Sequence, residues 1–434
     1  MKKSINIFWF RRDLRLDDNV GFYKALIAGL PVLPIFIFDS EILDKLPKND
    51  ARVSFIYETL QQMRTFLSAN HGSGIAMFYG KPKDVYKQLI ENYAIDSVYT
   101  NHDYEPYATE RDTDLKSLLD SHNIAFKTFK DQVIFEKSEI TKKDGEPYKV
   151  YTPYMRTWKE AFKTNEFKIY ETEIHFKQLL QDLDLPNLSL KAIGFEKSNQ
   201  PIASYEVSPT LIQHYEDTRN FPAKDATSRL GPHLRFGTVS IRKMVQKAIA
   251  ETNEIFWQEL IWREFFMQIL WHFPHTAKAA FKPKYDRIEW RNNESEFKKW
   301  CEGKTGYPLV DAGMRQLNKT GFMHNRVRML VGSFLCKHLL IDWRWGEAYF
   351  AEKLHDYDMS SNVGNWQWVA GSGVDAAPYF RIFNPTSQIE KFDKGLDYIK
   401  TWVPDFQEST YPQPIVDHKL ARERCLITYK SALD

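Results

Sequence analysis

The sequence predicts an α/β domain followed by an all-α one, and three observations carry that expectation. Short β-rich runs at 5–10 (INIFWF), 32–38 (VLPIFIF), 74–79 (GIAMFY), 97–100 (SVYT) and 125–129 (AFKTF) alternate with helical patterns such as Ser54–Leu67 and Lys83–Tyr93. Alternation of this kind builds a parallel sheet with helices on both faces. From 205 onward the apolar spacing turns helical, over Pro209–Tyr215, Val239–Ala250, Ile255–Trp271 and on through 306–368. There a 3.6-residue period brings Leu309, Val310, Met314 and Leu317, then Val327, Leu330, Val331, Phe334 and Leu335, onto single faces. Between the two halves, residues 131–204 lose their periodicity and read as a long linker. The expected division is 1–130, 131–204 and 205–434.

The first strand runs into FRRDLRLDDN (Phe10–Asn19) and not into a GxGxxG turn, so dinucleotide binding of the usual kind is not indicated. Arg11, Arg12, Asp13, Arg15 and Asp17 suit a salt-bridged loop at the carboxyl edge of the sheet.

Composition narrows the function. Lys plus Arg (59) nearly equals Asp plus Glu (57), so any nucleic-acid surface must be a local patch. An aromatic share of 15%, with 12 Trp, leaves rings over for stacking once a core is filled. Cys301, Cys336 and Cys425 are far apart, which supports neither a disulfide framework nor a metal site. After the basic start MKK, the apolar run of six residues before Arg11 is too short for a signal peptide, and no run reaches membrane-spanning length. A cytoplasmic protein, monomeric and needing no membrane or obligate protein partner, is expected.

The chemistry concentrates in 306–368. Asn325, Arg328, Asp356, Asp358 and Asn362 fall where a plain core would put apolar residues, and Trp343, Trp366 and Trp368 add aromatic surface. Such a set suits a large, partly charged aromatic ligand whose phosphates want Arg, sugar hydroxyls Asp and ring nitrogens Asn. Taken singly, each has a plainer reading: Arg328 pairs with Asp356 or Asp358, and the tryptophans fill the core. Upstream, Thr227, Ser228, Arg229, Leu230 and Gly231 precede a helix and suit phosphate, or an ordinary N-cap. Glu259 and Arg263 make an i,i+4 pair with Trp262 in the same turn.

TGYPLVDAGMRQL, TGFMHNRVRM, DWRWGEAYF, NVGNWQW and DAAPYFRIFNPTSQ resemble, in order and spacing, the flavin-binding half of the DNA photolyase and cryptochrome family, and within it the class I cyclobutane pyrimidine dimer photolyases. The resemblance implies a Rossmann-like antenna domain, a helical FAD-binding domain, and light-driven splitting of pyrimidine dimers in UV-damaged DNA, a carbon–carbon lyase reaction. It assigns FAD to Tyr215, Thr227, Ser228, Arg229, Leu230, Gly231, Arg263, Arg328, Asp356, Asp358 and Asn362, the last beside flavin N5. Lesion and DNA go to Arg219, Glu259, Trp262, Asn325, Arg326, Met329, Trp368, Arg381 and Gln388; of these Glu259, Asn325 and Met329, with Asn362, would be catalytic. Glu259 is expected as a buried carboxyl against a base edge. Trp290, Trp343 and Trp366 match the family's electron-transfer tryptophans. Arg52, Asp103 and Arg235 match an antenna site, for a deazaflavin (8-HDF) or a flavin, with a folate (MTHF) as the other option. A cryptochrome-type photoreceptor and a (6-4) photolyase are the alternatives. Glu259, Trp262, Met329 and Trp368 weigh against the first, and Asn325 and Met329, where the (6-4) enzymes carry histidines, against the second. Phe322 and Asn365 depart from the family's usual Trp and Gly.

Overall fold

The computed structural model describes residues 4–165, 168–182 and 184–434, so the basic start lies outside the described residues. Two compact units emerge, one of 1–136, 161–205 and 230–247, the other of 137–160, 206–229 and 248–434.

The first unit is built on five parallel strands, β1 (Ser4–Phe10), β2 (Val32–Asp39), β3 (Ala76–Gly80), β4 (Ala94–Asn101) and β5 (Ala125–Phe129), in the order β3-β2-β1-β4-β5. β1 is buried from Ile5 to Phe10 and β2 along its whole length, as a sheet covered on both faces requires. Period-2 geometry sorts their side chains. Ile5, Ile7 and Trp9 join Leu33, Ile35 and Ile37 in one apolar core, while Phe8 and Phe10 join Val32, Phe36 and Phe38 in another. Helices α1 (Val20–Leu26), α2 (Ala51–His71), α3 (Pro82–Asn92) and α4 (Pro106–Ser121) provide the crossovers.

The strand order reverses at β1 and β4, and the segment after β1 is a charge network there. Arg11 pairs with Asp112 at 2.6 Å, and Arg12 with Asp103 at 3.1 Å and Glu105 at 3.0 Å. Asp13 accepts from Asn101 Nδ2 at 2.6 Å, and Asp17 pairs with Lys243. Arg15 forks onto Asp131 at 2.7 and 2.8 Å, and Arg242 bridges Asp131 at 2.8 Å and Asp18 at 2.9 Å. Burial alone would raise the Asp131 pKa, but Arg15 and Arg242 outweigh it and hold the carboxylate below its ordinary range.

The stretch 131–204 is not a free linker, because it divides between the two units. Helix α5 (Tyr151–Thr164) forms within it. Further on, Leu180 N donates to Val32 O and Met77 N to Pro186 O, both at 2.8 Å, along the sheet. Its anchors, Phe176, Leu179, Leu185, Ile193 and Phe195, are spaced too irregularly to register as an element, yet each is buried. The segment 230–247, expected in the helical domain, belongs to the first unit.

In the second unit the helices that matter are α6 (Ile255–His272), α7 (Pro308–Thr320), α8 (Asn325–Ser333), α9 (Trp343–Lys353) and α10 (Met359–Ala370). α8 is two-faced. Val327, Leu330 and Val331 enter the apolar core of this unit, whereas Asn325, Arg328, Met329 and Gly332 recur at i, i+3, i+4 and i+7 on the opposite side.

Asp131→Asn is expected to cost roughly 3 kcal/mol of stability, read from a urea midpoint, because the buried Arg15 loses its carboxylate partner and Arg242 keeps only Asp18. The folded pKa of Asp131 is depressed, so its share is complete above the ordinary carboxylate range and lost as pH falls through the lower folded value.

Candidate functional site

Two clefts meet on α8 and α10. The first, about 590 Å³ with its open mouth, is lined by the outward face of α8, by Phe350 and Leu354, by Asp356, Tyr357 and Asp358, and by Ser361, Asn362, Asn365, Trp366, Trp368 and Val369 of α10. The second, about 870 Å³, is lined by Arg219, by Glu259, Trp262, Arg263 and Phe266 of α6, and by Asn325, Met329, Ser361, Asn365 and Trp368. Asn325, Met329, Ser361, Asn365 and Trp368 thus form a wall common to both.

In the first cleft Arg328 forks onto Asp356 at 2.9 and 3.2 Å and donates through Nε to Met323 O at 2.7 Å. The plainer reading of Arg328 therefore holds together with a position on the cleft wall. Asp358 caps α10, accepting from Ser361 N at 3.3 Å. Asn362 Nδ2 donates to Glu347 Oε1 at 2.9 Å and to Glu347 O at 3.1 Å, which leaves its carboxamide oxygen for the cleft. Burial raises the Glu347 pKa, against the hydrogen bonds from Asn362 and Tyr357. Beside this cleft Arg229 lies over the Phe322 ring at 3.7 Å, with Arg328 at 5.9 Å from the same ring. Arg229 holds φ at +54°, a left-handed conformation that costs a non-glycine residue on the order of 1 kcal/mol or more.

In the second cleft Glu259 pairs with Arg219 at 2.6 Å, where the spacing pointed to Arg263. Its side chain, 33% exposed, is half-buried in the cleft, held by Arg219. Trp262 stacks on Tyr151 with centroids 3.6 Å apart and planes 9° from parallel. Tyr151 is anchored in turn, its hydroxyl donating to Gln258 O at 2.7 Å and its N–H to Asp375 at 3.1 Å. Arg326 rests over Phe392 at 4.4 Å and donates to Asn220.

Other expected residues stand elsewhere. Tyr215, Thr227 and Ser228 are outside both linings; Tyr215 packs edge-on to Phe256, and burial with the Glu259 charge pushes its hydroxyl up to about 12. Leu230 and Gly231 fall in the first unit, where Gly231–Phe236 is a short helix with no side-chain cap, so the N-cap reading of Thr227 and Ser228 is not realised. Arg381 is exposed, its carbonyl taking a 2.8 Å hydrogen bond from the buried Lys337, and Gln388 is half-buried on Pro385–Phe392. Trp366 and Trp343 are buried and Trp290 half-buried; Trp366 lies against Gly346, one turn along α9 from Trp343. Of the antenna positions, Asp103 and Arg235 share one network through Glu105 and Arg12, while Arg52 pairs with Asp50 at 2.6 Å.

Sequence reasoning missed His324, Glu347, Tyr151 and Ser361. Tyr151 lay in a stretch without periodicity and left no signal. His324 and Glu347 sit inside the conspicuous motifs, next to residues that drew attention first. His324 is 3% exposed and accepts from Arg326 N at 3.2 Å. Burial, with Arg328, Arg326, Arg229 and Arg219 around it, pushes its pKa down to about 4.

The donor set fits FAD. Arg328 and Arg229 suit phosphates, Asp356 and Asp358 hydroxyls, and Asn362 a ring edge. Trp366 lines the cleft with its indole N–H buried and unpartnered among the described residues, as a position awaiting a ligand acceptor would be.

Residues 256–410 match the family model described as the FAD binding domain of DNA photolyase, and residues 6–172 the one described as DNA photolyase. A deoxyribodipyrimidine photo-lyase of Agrobacterium fabrum is 36% identical, the match covering 99% of this chain and 98% of that protein. The chain belongs to the DNA photolyase family. Among solved photolyase structures, a bacterial class III photolyase from Agrobacterium tumefaciens superposes with a TM-score of 0.88 at 35% identity, covering 100% of this chain and 98% of that one. An archaeal photolyase from Sulfolobus tokodaii, solved with two FAD molecules, superposes with a TM-score of 0.86 at 35% identity, covering 99% and 100%. The parallel-sheet unit and the helical unit expected of a photolyase are both present.

His324 makes a pH prediction. Its folded pKa lies below the ordinary 6.5, at about 4, so its share of stability is full above pH 6.5 and lost as pH falls toward 4. Urea midpoints at pH 7 and pH 5 are expected to differ more for the wild type than for His324→Asn, which keeps a capping side chain but does not titrate.

Proposed function

We propose that the chain repairs cyclobutane pyrimidine dimers in DNA with light, holding FAD in the first cleft and the everted lesion in the second. The common wall of the two clefts carries the reading. A donor and an acceptor separated by one layer of side chains are close enough for charge to pass between them. Bound and reduced, FAD would supply the light absorption and the electron.

The chain's own residues bind, orient and exclude. Arg328, locked by Asp356, offers a fixed positive charge for phosphate oxygens, and Arg229 adds a second. Asn362, oriented by Glu347, presents an acceptor suited to a ring N–H of the reduced cofactor. Trp262, backed by Tyr151, and Trp368 give the second cleft aromatic walls that repay part of the cost of taking bases out of the stack. Glu259, held by Arg219, accepts from a base N–H, and Met329 adds a polarisable contact. Arg219, Arg326, Arg381 and Gln388 serve the backbone of the strand. Trp366, Trp343 and Trp290 offer aromatic steps from the cleft outward, the first two buried and the last half-buried. In the first unit, the Arg12–Asp103–Glu105–Arg235 network and Arg52 are the antenna candidates. A flavin or deazaflavin is favoured there, since a relative of the same fold was solved with two FAD molecules.

Illuminating the reduced, FAD-loaded protein with dimer-containing DNA is expected to restore the pyrimidines, counted by chromatography; light without restoration would end the proposal. Trp262→Ala is expected to cost about 1–3 kcal/mol of affinity for dimer-containing DNA while leaving undamaged DNA nearly unchanged, as read by fluorescence anisotropy. Affinity for both should fall as salt rises, since phosphate contacts displace counterions.

A further inference from the structure

We infer that Asn365 is a lesion-contacting residue, an amide that the common wall adds to Glu259 and Asn325 for reading a pyrimidine edge; the inference rests on the repair function proposed above. Asn365 lines both clefts from α10 and is exposed in them, not packed away. One N–H of its carboxamide is tied to Ser361 O, one turn back, at 2.8 Å. That bond orients the group, and among the described residues its oxygen accepts no hydrogen bond. Asn365 therefore presents an acceptor and one remaining N–H side by side. Asn325, on the facing helix α8, carries a second carboxamide that makes no side-chain hydrogen bond among the described residues.

The rest of the second cleft supplies what such an amide needs. Trp262, Trp368, Phe266 and Met329 line a slot for planar rings. Aromatic walls desolvate a base, and its polar edge must then find donors and acceptors among Arg219, Glu259, Arg263, Asn325, Ser361 and Asn365 on the same lining. Glu259, already engaged by Arg219, only accepts. It serves an N–H but repels the carbonyl oxygen beside it. A carboxamide matches a carbonyl next to an N–H on both counts, and that is the edge a thymine presents. A lesion holds two bases, so one carboxylate cannot satisfy both edges. Asn365 is the orienting amide on the α10 side.

Asn365→Ala removes both polar groups and keeps helix propensity; Asn365→Asp keeps the shape and an acceptor but loses the donor. Affinities for thymine-dimer DNA and for undamaged DNA are measured for both variants and the wild type, with flavin content read by absorbance. Each variant is expected to lose about tenfold in its preference for dimer-containing DNA, with undamaged DNA binding and flavin content unchanged. If the wild type prefers dimers and both variants keep that preference, the assignment of Asn365 is overturned. If flavin content falls while the preference stays, the amide serves the cofactor, and the inference is again overturned. A wild type with no preference at all would instead sink the repair reading on which the inference stands.

Discussion

The seating of Trp366 against Gly346 is the contact on which the rest of the site depends. A Cβ at position 346 would come within 2.1 Å of the Trp366 ring, and one at 332 within 3.1 Å of Val369, so glycine on α9 and on α8 lets α10 lie close to both. That closeness sets the register of α10. Once Trp366 and Val369 are anchored, helical geometry sends Asn362, Asn365 and Trp368 to the cleft side. A side chain at Gly346 would push the helix outward and carry the common wall with it.

Packing of this kind allows one short helix to serve two masters. α8 and α10 each devote one face to the apolar core and the other to polar groups that no core would tolerate unpaired. The polar faces are kept in place by partners outside the clefts. Asp356 locks Arg328, Glu347 orients Asn362, Tyr151 backs Trp262 and Arg219 holds Glu259. Ligand-binding groups held this way need little reordering on binding, which lowers its entropic cost.

His324 shows the electrostatic side of the same arrangement. Burial first, and then the field of four nearby arginines, keeps this imidazole neutral. A neutral ring can cap α8 through its acceptor nitrogen without adding to the positive charge. Asp356, Glu259 and Asp225 pair with Arg328, Arg219 and Arg229, and Arg326 has no carboxylate partner among the described residues, which leaves a local positive excess suited to phosphate. The near-zero net charge of the whole chain conceals this local excess.

Residue type and spacing alone determined the strands of the sheet and the helices of 306–368, because period 2 and period 3.6 follow from which side chains must leave water. The motifs, through their likeness to a known family, pointed to Arg328, Asp356, Asn362, Trp262 and Trp368, and the clefts contain all of them. Only the tertiary structure decided that Glu259 pairs with Arg219 and not one turn along its own helix, that Tyr151 backs Trp262, and that 161–205 packs with the sheet. These are contacts between residues far apart in the chain, made by side chains with no periodic neighbours. Local spacing carries no record of such pairs, since they depend on where the folded backbone brings each segment.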